Sequence, residues 1–231
     1  MNFVSEGPGA IPLWINGHAF LTVCERYFDV TNPQSGEIVH RVPLAGAEEA
    51  LQAVASAKSA ESAWAESGLA ARRNFLHQLA AALDQFAEHF AALLMNETGF
   101  DSARATAEVS AAIAALRGTA VGETGIVALV IDSSRPLAGL AEAAAPAWMA
   151  GAVLVIKPSP RAPSAAYALC ELSAHADWPG GVLNLLQGDT EAIAGLCAAD
   201  IDRLVYVGEA SLGDQVGALA RSSGKYFELH S

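Results

Sequence analysis

Five short apolar runs, 126–131, 153–156, 182–186, 204–207 and 226–229, recur along the second half of the chain, separated by helical stretches of crossover length. Antiparallel neighbours can be joined by a tight turn, whereas parallel strands need a crossover of a dozen or more residues, usually a helix. The rhythm therefore predicts an α/β fold: a parallel sheet of about five strands with helices on both faces. In such a sheet ligands sit beyond the carboxyl ends of the strands. That rule singles out the loops 132–136, 157–160, 187–190, 208–211 and 230–231.

The first half is organised differently. Asn16-Gly17, after Leu13-Trp14-Ile15, favours a tight hairpin, and further apolar runs at 20–23 and 27–30 make the opening β structure. A turn cluster, Asn32-Pro33-Gln34-Ser35-Gly36, precedes a strand-like stretch over 37–42. Apolar residues at three- and four-residue spacing then predict amphipathic helices over 47–66, 69–86, 88–98 and 102–117, broken at Ser67-Gly68 and Gly99. The expected organisation is one unit: strands in 1–45, a helical segment over 46–118 and a βα core over 125–229.

Composition removes several function classes. The 231 residues are 52% hydrophobic, enough for a buried core. A net charge of −12 would repel a polyanion, which excludes nucleic acid as a partner. Cys24, Cys170 and Cys197 are widely separated and odd in number, so they read as small buried residues in a reducing, cytoplasmic setting. The six histidines share no metal-ligand spacing, and no metal is expected. The amino-terminal residues Met1 to Glu6 lack the basic region and apolar run of an export signal. The stretch 137–156 is apolar, but Glu142, Pro146, Gly151 and its β-branched end fit a buried helix and strand better than a membrane span. Trp64, Trp148 and Trp178 are expected in the core, Trp14 over the edge of the opening hairpin, and Arg72-Arg73 on a solvated helix face.

Two of the strand-end loops carry groups suited to phosphate or ribose. Lys157-Pro158-Ser159 follows its strand directly, so the ammonium and hydroxyl of Lys157 and Ser159 are expected at the ligand edge, although a solvated loop charge is the plainer reading of the lysine alone. Gly208 and Gly213 bracket a strand-to-helix turn of the kind that brings backbone N–H groups toward a pyrophosphate. A lone pair of glycines does not establish this.

Their order along the chain adds what the single motifs lack. Asn32-Pro33 with Ser35-Gly36-Glu37, Asn96-Glu97-Thr98-Gly99, Lys157-Pro158-Ser159, Pro179-Gly180-Gly181, Gln187-Gly188-Asp189, Val207-Gly208-Glu209 through Gly213, and Glu228-Leu229 together resemble the aldehyde dehydrogenase superfamily over about residues 13–229. The resemblance implies a Rossmann-like NAD- or NADP-binding domain completed by a catalytic domain with a nucleophilic cysteine, a glutamate base and an oxyanion-stabilising asparagine. Against that pattern Ser134 stands at the asparagine position, within Asp132-Ser133-Ser134-Arg135-Pro136. Pro160 replaces a ribose-binding glutamate, and Glu209 replaces a serine near the pyrophosphate, adding a repulsive carboxylate. Glu228 aligns with the general base, but His230-Ser231 replace two glycines. All three cysteines precede Glu228, so none falls at the nucleophile position, and the catalytic domain is expected to be absent. Only 118–124 remains of a longer family connection.

These departures lead to the expectation of a non-catalytic relative, a pseudoenzyme serving as an assembly, stabilising or regulatory subunit, with NAD or NADP binding weak or lost. The alternatives are an NAD(P)-binding module built on Lys157, Ser159, Gly208 and Gly213, or the cofactor half of a split dehydrogenase in which Glu228 is retained. Apolar surface left by a missing domain predicts a homo-oligomer or a complex with a full-length aldehyde dehydrogenase, through the face around 132–135 and the last strand.

Overall fold

The computed structural model describes residues 8–22, 24 and 26–231. The stretch 1–6, read above for an export signal, and Val23 of the run 20–23 lie outside the described residues. The chain opens with β1 (Leu13–Ile15) and β2 (His18–Phe20), then β3 (Tyr27–Thr31) and β4 (Ile38–Pro43). Four helices follow: α1 (Ala47–Glu66), α2 (Leu69–Gln85), α3 (Ala87–Thr98) and α4 (Ser102–Leu116). The βα alternation then runs β5 (Ile126–Ile131), α5 (Ala138–Ala150), β6 (Val153–Pro158), α6 (Ser164–His175), β7 (Leu183–Leu185), α7 (Thr190–Ala198), β8 (Arg203–Val207), α8 (Ala210–Ser222) and β9 (Tyr226–His230).

The expected parallel sheet forms, in the order β7-β6-β5-β8-β9, and it carries two additional strands. Asn16 and Gly17 both take left-handed backbone angles, φ 54° and 83°, and close a tight β1–β2 hairpin. That hairpin is not free-standing. β1 pairs antiparallel with β7 at Trp14 and Leu185, which makes a seven-stranded sheet. Buried Asn184 fastens the junction: its Oδ1 accepts the Asn16 N–H (3.1 Å) and the Ser56 hydroxyl (2.9 Å), and its Nδ2 donates to the Leu154 and Gly181 carbonyls. β3 and β4 form a separate two-stranded sheet over a small core of Ile11, Val30 and Val42.

Strands β5, β6 and β8 are buried at every residue, as continuous apolar runs between two helix layers require. The helix breaks fall where glycine supplies positive φ: Gly68 (83°) before α2 and Gly99 (73°) after α3. Trp64, Trp148 and Trp178 meet in the core with centroids 4.9–5.6 Å apart, and Trp14 packs edge-on against Tyr167. Stretch 137–156 divides into α5 and β6, and no helix among the described residues is long and apolar enough to cross a membrane.

Arg72 corrects the sequence reading. It is buried, and its guanidinium donates to the Trp64 and Ala65 carbonyls at the end of α1 (3.2 and 2.8 Å) and to Met149 at the end of α5 (3.0 Å). The last carbonyls of a helix lack intrahelical partners and carry partial negative charge, so one planar cation satisfies two helix ends at once. Helical periodicity alone cannot reveal this role, because both partners belong to other elements.

Candidate functional site

The carboxyl ends of β5 and β8 lie side by side, and the loop after β5 folds over the turn after β8. Pairing of Ile131 with Val207 is extended by the Asp132 N–H, which donates to the Val207 carbonyl (3.0 Å). Asp132 is thereby set beside Gly208. Its Oδ2 accepts the Glu209 N–H (2.7 Å) and lies 3.4 Å from the Tyr206 hydroxyl, while its Oδ1 accepts both the N–H (2.7 Å) and the hydroxyl of Ser134. Burial, and then the Asp132 charge, pushes the Tyr206 phenol up from its ordinary range. Gly208 has φ 145°, and a Cβ built there would overlap the Asp132 carboxylate.

Of the expected site residues, Ser134, Gly208 and Glu209 are thus brought together by Asp132, which the sequence reading had only as the first residue of a loop. The signal was an acid directly after one buried strand and a glycine directly after another; their adjacency depends on the β5–β8 register. Gly213 has another role. A Cβ there would come within 2.5 Å of Leu229 and 3.1 Å of Tyr206, so this glycine lets α8 pack closely on β8 and β9.

Lys157 is buried near the carboxyl end of its strand. β6 continues to Pro158, so Lys157 lies inside the strand opposite Val130, 4% exposed, and its ammonium makes no hydrogen bond among the described residues. Burial pulls its pKa down to about 8, with the charge of Asp189 opposing. Ser159 follows the strand and is half-buried, its hydroxyl accepting the Arg161 N–H (3.3 Å).

Glu228 is separate from the Asp132 cluster. On β9 it pairs in register with Val205 of β8, and it lies 3.8 Å from Arg203 Nε and 3.4 Å from His230 Nε2. With Glu123, Glu142 and Arg203 it lines a groove of about 180 Å³ between α5 and the β8–β9 end of the sheet. A second cavity, of about 380 Å³, lies between the β3–β4 sheet and the loops after β5 and β6, lined in part by Glu97, Arg161 and Ser133. Buried Glu97 accepts the Ser164 N–H (3.0 Å) and hydroxyl; desolvation raises its pKa to about 7 against those hydrogen bonds. No cluster of three or more metal-ligating side chains occurs among the described residues.

A nicotinamide dinucleotide would have to place its pyrophosphate at the Gly208 turn, where glycine normally permits close backbone approach and the helix end favours an anion. The residues in place do not fit that group. The space beside Gly208 and the Glu209 N–H are both taken by a carboxylate, and the exposed Glu209 adds a second negative charge.

The aldehyde dehydrogenase family model matches residues 20–125 and 123–230, the break falling at the short connection before β5. The chain is 29% identical to the malonate-semialdehyde dehydrogenase of Pseudomonas aeruginosa over 87% of its own length and 45% of that protein. It is 33% identical to the N-succinylglutamate 5-semialdehyde dehydrogenase of Chromohalobacter salexigens over 91% of its length and 46% of that protein. The fold superposes with TM-score 0.90 and 24% identity on a putative methylmalonate-semialdehyde dehydrogenase from Sinorhizobium meliloti complexed with NAD, covering 97% of this chain and 51% of that one. The chain spans about half the length of the curated relatives it matches. Two matched segments covering nearly all of the chain, on a sheet of the same topology as the solved relatives, make it a member of the aldehyde dehydrogenase family.

Proposed function

We propose that this chain is a non-catalytic aldehyde dehydrogenase-like unit that acts as an assembly, stabilising or regulatory subunit. The observation that carries the reading is the state of Ser134. Both its N–H and its hydroxyl are committed to the Asp132 carboxylate, at the position where the family resemblance calls for an oxyanion donor. An oxyanion forming there would find its donors spent and a negative charge in their place. The expected partner is a second copy or a full-length aldehyde dehydrogenase in a reducing compartment, and apolar surface is offered by Tyr226 (63% exposed) and Leu229 on β9 and by Leu212 on α8.

The test is NAD- or NADP-dependent oxidation of malonate semialdehyde by the purified chain. No turnover is expected, and turnover abolished by Glu228→Gln would overturn the reading. One observation favours an alternative, the cofactor module or cofactor half of a split dehydrogenase. The buried Lys157 side chain makes no hydrogen bond among the described residues and would gain one from a ribose or phosphate oxygen. Saturable NAD or NADP binding by calorimetry, lost in Lys157→Met, would favour that alternative.

A further inference from the structure

We propose that Asp132 is a built-in occupant of the phosphate-binding turn: its carboxylate takes the backbone donor and the open face of Gly208 that a pyrophosphate would use, so the chain shuts dinucleotide phosphates out of that turn itself. The inference concerns binding at one turn, and it stands whether or not the chain is catalytic.

The carboxylate makes the contacts an anion would make there. Glu209, the residue before α8, has no side-chain cap of its own, and its N–H is satisfied by Asp132 (2.7 Å). Gly208 keeps the positive φ of a residue built for close approach, and what approaches is a side chain of the same molecule.

The carboxylate is also held in place. The Asp132 N–H is tied to Val207, Ser134 contributes two donors to Oδ1, and Tyr206 faces Oδ2. Swinging the side chain away would leave the two part-buried Ser134 donors, the Glu209 N–H and the buried Tyr206 hydroxyl without this acceptor, so a ligand phosphate has to displace a satisfied group. Two cations at this loop are engaged elsewhere: Arg135, within it, pairs with Glu142 (2.6 Å), and Arg104 approaches from α4. It donates to the Ser134 carbonyl (3.2 Å) and stacks over the Phe100 ring.

The test titrates the full chain with ADP and with inorganic pyrophosphate, reading affinity by calorimetry and the Gly208 and Glu209 amides by NMR. The wild type is compared with Asp132→Ala, which opens the space, and Asp132→Asn, which keeps the volume and removes the charge. The wild type is expected to leave both amides unmoved. Asp132→Ala is expected to shift both and to bind pyrophosphate at least about tenfold more tightly than the wild type, with Asp132→Asn in between. Wild-type shifts at both amides with an affinity within about threefold of the Ala variant would overturn the proposal. A folded Ala variant with no gain would overturn it as well, and if that variant does not fold the Asn variant carries the same comparison. Aldehyde turnover does not enter, so this inference can fail while the non-catalytic reading stands, and the reverse.

Discussion

Glu97 is a buried acid whose proton is retained by its surroundings. Removal from water raises its pKa from 4.5 to about 7, even though Ser164 donates two hydrogen bonds to the carboxylate. Because the folded pKa lies above the unfolded one, the folded state holds a proton that the unfolded state has already released between those values. The stabilisation is therefore complete below about pH 4.5 and is lost as pH rises through about 7, on the order of 3 kcal/mol. Glu97→Gln, which is neutral at every pH and still offers an oxygen to the Ser164 N–H, should flatten the pH dependence of the melting temperature between pH 5 and pH 8. Thermal melts across that range check it, and an unchanged slope would remove Glu97 as the source. Residues of this kind were partly legible. Asn96-Glu97-Thr98-Gly99 was recognisable as a landmark, but nothing in it named Ser164, 67 positions away, as the partner.

At the scale of elements, three crossover helices share one device. Helices α5, α6 and α8 have no side-chain cap from their own N-cap residue. Each instead meets a buried carboxylate from elsewhere: Glu108 of α4 accepts the N–H groups of Leu137, just before α5, and of Ala138, its first residue; Glu97 of α3 serves α6, and Asp132 serves α8. Helix α7 alone of the four crossovers is capped locally, by Asp189. A remote cap does what a local one does, satisfying free N–H groups at the positive helix end, and it also ties two elements together. Glu108→Ala should therefore cost about 1–2 kcal/mol, with Glu108→Gln costing less because an acceptor remains. Urea denaturation decides this, and equal losses in the two variants would show that packing, not capping, sets the value. Such caps escape a reading based on the residue just before a helix, since that residue is Leu137, Pro163 or Glu209 here.

For the whole molecule, Asn184 is the joint between halves that differ in their sequence pattern. Its amide links the opening hairpin through Asn16, helix α1 through Ser56, and strand β6 through Leu154. Asn184→Leu should leave these buried groups unpaired at a cost of about 2–4 kcal/mol, and hydrogen exchange should quicken first in β1 and β2. Protection in the hairpin unchanged relative to β5 would sink this expectation. By itself the sequence determined the parallel sheet, the four leading helices and the family, because these are written in local periodicity and in contiguous motifs. Tertiary structure alone decided that the hairpin joins the sheet, that Arg72 is internal, that Lys157 is enclosed and that Asp132 fills the turn at Gly208. Each of those outcomes depends on strand register and on which distant polar groups meet away from water, and a buried donor or charge takes its role from the partner it finds there.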